Sequence, residues 1–250
     1  MIKNKIGIRA LLFTALVLSI MLIPTVSAEK LSKTIDQPSE LEQGLIDALN
    51  SNTENISTDE IIANYFKDNE DKISKNSFAK NDKASDKDNL RTYQLEDGSL
   101  ITFMKKGDFY ISSMEEESNS EIVTQRAINA ATSYSYTPIL TASKSFYSPM
   151  GVKLFTVYSK GYYRYDGNTV KAYYMDSWYT KGYLSIWQVS NWEEGGYDYA
   201  SAAVSEIYGR GNFHYGFEYQ GVGLVIQDKY VTVKSICDKN GNYQFLWSAY

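Results

Sequence analysis

One imidazole, His214, and one thiol, Cys237, are the only histidine and cysteine in this 250-residue chain. A single histidine excludes HExxH sites and every zinc centre that needs two imidazoles. A Ser-His-Asp or Cys-His arrangement would have to be built on His214 itself. In the stretch 212–219, NFHYGFEY, period-two alternation sets His214 beside Asn212, Gly216 and Glu218, opposite Phe213, Tyr215, Phe217 and Tyr219. The ring-bearing side reads as core, so His214 reads as a solvent-side residue with no nucleophile near it. Cys237 shares a side with Val231 and Val233 in YVTVKSIC, where a free thiol behaves as a small buried hydrophobe. No cysteine-protease signature surrounds it.

Carboxylates are the next chemistry to weigh. Glu193 and Glu194 are adjacent, and Asp176, Glu206 and Glu218 share the same half of the chain. A glycoside hydrolase needs two carboxyls held about 5–10 Å apart across a cleft, and adjacent glutamates usually diverge. The stretch DKNGN at 238–242 alternates oxygen-bearing side chains, but its glycine falls at the fourth position and alanine at the twelfth. An EF-hand loop wants glycine sixth and glutamate twelfth, so a β-turn is the expectation. Gly209-Arg210-Gly211 and Gly221-Val222-Gly223 lack the following helix that a phosphate-cradling loop requires. No metal site and no cofactor is expected.

Aromatic residues are where this sequence is unusual. Residues 158–179 read YSKGYYRYDGNTVKAYYMDSWY, seven of the 22 being tyrosine. Such rings suit a pleated, half-buried sheet, burying their bodies and keeping their hydroxyls at a wet rim. Five rings fall outside the obvious strands. Residues 176–180 (DSWYT) and 191–199 (NWEEGGYDY) place Trp178, Tyr179, Trp192, Tyr197 and Tyr199 in expected loops. Grouped loop aromatics of this kind are the candidate ligand-binding residues, either stacking on sugar rings or gripping a protein partner.

The elements that must position them are mainly β. Strands are expected at 152–165, 169–175, 183–190, 200–208, 212–219, 222–227, 230–237 and 243–247, separated by Gly, Asn and Asp turns. That spacing predicts a C-terminal antiparallel β-sandwich over 145–250. A small acidic α+β part should precede it. Residues 29–126 carry 21 acidic against 12 basic residues, whereas all four tryptophans and 19 of 22 tyrosines come later. Ser39-x-x-Glu42 and Ser57-x-x-Glu60 are capping boxes ahead of apolar stripes, predicting two short helices within 29–66. Residues 67–90 read as a flexible polar linker. Residues 91–118 read as a β-hairpin unit of two or three strands turning at Asp97-Gly98 and Gly107-Asp108, with Glu115–Glu117 as a solvated turn. Residues 119–144 read as a connector, within which 119–134 fits either a helix or a linking segment.

The first 28 residues resemble a secretory signal in plan. Lys3, Lys5 and Arg9 precede the apolar run 10–23, Pro24 breaks it, and Val26 and Ala28 suit cleavage after Ala28. A secreted, extracellular protein of a low-GC Gram-positive bacterium is therefore expected, monomeric and without a permanent membrane anchor. Its acidic balance lacks the footprint of nucleic-acid binding. The leading expectation is a non-catalytic binding protein whose aromatic loops contact a cell-surface glycan or protein. The alternatives are a bacteriocin-like antagonist with the acidic segment as a pro-region, and a carboxylate-dependent hydrolase.

Overall fold

The computed structural model describes residues 37–52, 56–75, 90–104, 106–118, 134–183, 185–199, 203–219 and 222–249. The signal region with Ala28, residues 119–133 of the undecided 119–134 stretch and most of the 67–90 linker lie outside them. Among the described residues, eleven strands follow three helices. The helices are α1 (Glu40–Asn50), α2 (Thr58–Asp68) and α3 (Glu70–Lys75), the last lying within the stretch expected as linker. The first two start where their caps predict. Ser39 accepts from the Glu42 amide while Glu42 returns a bond to the Ser39 amide, and Ser57 accepts from the Glu60 amide.

The first sheet contains β1 (Arg91–Gln94), β2 (Leu100–Phe103), β3 (Phe109–Glu117), β4 (Ser135–Tyr136), β5 (Ile139–Tyr147), β6 (Lys153–Tyr165) and β7 (Val170–Lys181). Its path runs β1-β2-β3-β5-β6-β4, with β7 also on β6. The expected hairpin unit is thus continuous with the sandwich sheet through the β3–β5 ladder, and β5 begins inside the expected connector. Glu115–Glu117, expected as a turn, are the end of β3 and pair with Ile139–Thr141. Long neighbouring strands carry the ladder through the charge run, and Glu117 is met by Lys160 at 2.8 Å.

The second sheet runs β11-β10-β9-β8, from β8 (Gln188–Asp198), β9 (Val204–Tyr219), β10 (Val222–Asp238) and β11 (Tyr243–Ala249). Every pairing in both sheets is antiparallel. The inner faces meet around Tyr110, Phe146, Phe155, Val157, Trp187, Phe213, Val231 and Val233. A second cluster of Leu140, Tyr163, Val170, Ile207 and Cys237 continues the same core. Phe155 lies on Phe213 with centroids 4.2 Å apart, which joins one sheet to the other. Tyr163 is fully buried and donates its hydroxyl across the gap to the Ser235 carbonyl at 2.7 Å. The alternation expected for 230–237 holds, with Val231, Val233, Ser235 and Cys237 all buried.

Two expected strand breaks do not occur. Residues 200–219 contribute one strand, β9, running unbroken through Gly209-Arg210-Gly211, and 222–237 form one strand, β10, with a register shift at Val225/Gln227. Glycine there serves proximity rather than turning. A Cβ on Gly209 would stand 2.9 Å from the Tyr158 carbonyl oxygen, and one on Gly161 would stand 2.5 Å from Ile207 Cδ1. The serines of this region use the same closeness: Ser159 donates to the Ile207 carbonyl, Ser177 to that of Tyr208 and Ser205 to that of Val170.

The outer face of the first sheet divides in two. At its β1–β3 end, Leu41, Leu45, Ile46, Ile62 and Phe66 of the helices pack on Ile101, Phe103, Phe109, Ile111 and Tyr147. Asp59 of α2 fixes that junction, accepting from the Tyr147 hydroxyl and the Lys153 ammonium, both at 2.7 Å. The β6–β7 end carries a different surface.

Candidate functional site

The five expected ligand-binding rings do not lie together, and four are not in loops. Trp178 and Tyr179 belong to β7, Trp192 and Tyr197 to β8, and Tyr199 follows β8 directly. The correction has a local cause. Tryptophan and tyrosine favour strands, and the turn signals around them are absorbed within the ladder. Asn191, at φ 52°, sits in the register shift between Ser190 and Glu193. Gly196 lets β8 approach β7, since its Cβ would lie 3.3 Å from that of Ala172.

Neighbours in a strand point to opposite faces, so the five rings separate into three places. Tyr179 and Trp192 turn inward and meet Phe213 edge-on, with centroids at 5.7 and 6.4 Å. Tyr197 and Tyr199 form an edge-to-face pair at 5.0 Å. The Tyr199 hydroxyl donates to Glu206 at 2.9 Å. Trp178 alone joins the outer face of the first sheet, stacked on Tyr158 at 4.6 Å and 10°.

That outer face holds a set of rings, of which Tyr158, Tyr162 and Tyr173 fall in strands where packing is the expected role. Tyr162 and Tyr173 oppose one another in register and stack at 4.9 Å and 5°. Tyr136 of β4 meets Tyr162 at 6.3 Å. The Arg164 guanidinium lies over the Tyr134 ring at 4.4 Å. All of these side chains are half-buried, except Tyr134, which is exposed. The signal was legible as alternation: Tyr158, Lys160, Tyr162 and Arg164 take one side of β6, and Ser159, Gly161 and Tyr163 the core side. A bulge at Met175 keeps Trp178 and Tyr173 on the same outer face.

The carboxylates are engaged elsewhere. Glu206 is buried and held by Lys234 at 2.6 Å. Glu193 accepts two bonds from Arg210, at 2.8 and 2.5 Å. Glu194 accepts from the Trp192 indole at 2.6 Å. Burial, and then the bond to Glu194, pushes the Tyr174 hydroxyl up to about 12. Asp176 is exposed and faces Lys160 in register, and the Glu218 side chain lies outside the described residues. Asp238 closes the β10–β11 turn, accepting from the Asn240 and Asn242 amides at 2.8 and 2.9 Å. Cys237 is fully buried, and burial foremost drives its thiol up to about 12. His214 sits nine residues along β9 from the register partner of Cys237, about 30 Å at strand rise, and on the opposite face.

A cleft of about 480 Å³ opens between α2, α3 and the β5–β6 turn, lined in part by Phe66, Ile73, Met150, Val152 and Tyr183. Its Asp59 carboxylate is already shared by Tyr147 and Lys153. Compared with known proteins, the chain matches no family model, no curated protein and no solved structure.

Proposed function

We propose that this is a secreted, non-catalytic binding protein whose contact surface is the outer face of β6 and β7. The observation that carries the reading is the pair of parallel ring stacks, Tyr158–Trp178 and Tyr162–Tyr173, standing on the part of the sheet face beyond the helix contacts. Rings fixed by stacking across strands present hydrophobic surface at little further entropic cost, and their hydroxyls and indole nitrogen add directional bonds. Sheet-borne rings are also more rigid than loop-borne ones, which favours an extended ligand lying along the strands. The carboxylate engagements support a binding role over hydrolysis, because no described pair stands free across a cleft. Export rests on the N-terminal pattern ending at Ala28, and a Gram-positive source on composition.

The test is co-sedimentation of residues 29–250 with Gram-positive cell-wall material. Trp178→Ala should weaken retention at least tenfold, about 1.4 kcal/mol, and Tyr197→Ala, on the other sheet, should leave it unchanged. Thermal unfolding of each variant checks that the sandwich persists. Retention that survives Trp178→Ala and Tyr173→Ala together would refute the assignment of this face.

A further inference from the structure

Resting on that reading of the β6–β7 face, we propose that its ligand is an acidic polysaccharide, with Arg164 and Lys171 taking the anionic groups and the neighbouring tyrosines the sugar rings. Arg164 and Lys171 oppose one another directly in the β6–β7 ladder. Like charges in that position destabilise a sheet, and opposite charges are the favourable choice. The same two strands make the favourable choice further along: Lys160 faces Asp176 and is also met by Glu117 at 2.8 Å.

Among the described residues neither Arg164 nor Lys171 forms a salt bridge. Both instead share one ring, lying 5.8 Å over Tyr173, while Arg164 also covers Tyr134 at 4.4 Å. The anion that acts on Arg164 is Asp166, and its carboxylate is taken up by the next turn. Its Oδ1 accepts from the Asn168 and Thr169 amides at 2.8 and 2.7 Å. Two cations outside any salt bridge of the described residues, with only Asp166 acting on one of them, make a local positive spot in a chain of net charge −5. The guanidinium fork suits a carboxylate or phosphate. A spot of two cations is too small for a nucleic-acid backbone, which needs a basic stripe. The adjoining rings are mostly tyrosines with polar tips, suited to a hydroxyl-rich ligand.

Binding is measured for polygalacturonate, phosphate-bearing mannan and neutral dextran, each at 50 and 200 mM salt. The wild-type chain should bind at least one of the two acidic polymers more tightly than dextran, and more weakly at the higher salt. The polymer preferred identifies carboxylate or phosphate as the recognised group. The double variant Arg164→Gln/Lys171→Gln should lose at least tenfold on the acidic polymer. It should unfold at the same or a higher temperature than wild type, because a repulsion has been removed. Unchanged affinity in that variant, or tighter binding of dextran, overturns the acidic ligand. If dextran is preferred and Trp178→Ala abolishes its binding, the contact surface stands without the acidic specificity. Binding of none of the three polymers overturns the polysaccharide ligand, and the cell-wall assay then decides the surface separately.

Discussion

Lys144 is buried on the inner face of β5 with its ammonium 3.6 Å above the Tyr110 ring and no hydrogen-bond partner. Burial first, and then Lys229, pulls its pKa down to about 7. Lys229 is itself held by Asp108 at 3.4 Å. In the unfolded chain Lys144 titrates near its ordinary value, so between about 7 and 10.5 the unfolded state binds the extra proton. Stability therefore rises with pH across that window, and the ionisation penalty is fully present below it. Lys144→Met should stabilise the protein by a few kcal/mol at pH 6, on the order expected for removing an unpaired buried charge. The gain should shrink as pH approaches 10, read by urea denaturation at each pH. A pH-independent difference would refute the titration. Nothing in the sequence marked Lys144, because a lysine alternating with Ser143 and Ser145 in TASKSFY reads as the wet side of a strand. Arg164 is unmarked in the sequence for a different reason. Its significance lies in facing Lys171, and register across a hairpin with a bulge is not readable from one strand's pattern. Trp178 was legible as a candidate but not its separation from Tyr179, which follows only once both are known to lie in a strand.

At the scale of elements, the capped helices, the turns at Gly98, Gly107 and Gly167, and the alternation of β10 were readable because each rests on local chemistry. All three turn glycines have φ between 84° and 86°. The continuity of β9 was not readable. Gly209 and Gly211 look like a turn in isolation, and only the folded neighbours reveal that Gly209 makes room for the backbone of the opposing sheet and Gly211 for Trp192 of the adjacent β8. Gly209→Ala and Gly161→Ala should each destabilise the sandwich by roughly 1–3 kcal/mol, the ordinary cost of overpacking. Gly98→Ala, with open space around its Cβ, carries only the strain of its positive φ. Thermal unfolding of the three variants separates the cases. If Gly209→Ala is neutral, the sheets are not as close as described. β1–β3 are legible as strands but not as members of the sandwich sheet, because the pairing that unites them, β3 with β5, spans a sequence gap that carries no turn signal.

For the whole molecule, the acidic N-terminal part and the aromatic sandwich differ sharply in composition yet share a core. Leu45 and Ile62 are fully buried against a sheet that begins at Arg91, and Arg91 itself pairs with Glu42. Fully burying an apolar side chain of this size contributes about 1.5–3 kcal/mol, so several together hold the helices on β1–β3. With a protease site engineered between Lys75 and Leu90, the two pieces should co-elute in gel filtration after cutting. They should separate only in denaturant, or when Ile62→Asp is also present. Separation of the native pieces on cutting alone would refute a shared core. A bacteriocin-like route, in which the acidic segment is discarded, thus has two barriers rather than one. Hydrolysis of the backbone would leave a nicked heterodimer, and liberating the sandwich would demand a further act of force or competition to peel the helices away, baring Ile101, Phe103 and Phe109 as freshly adhesive ground.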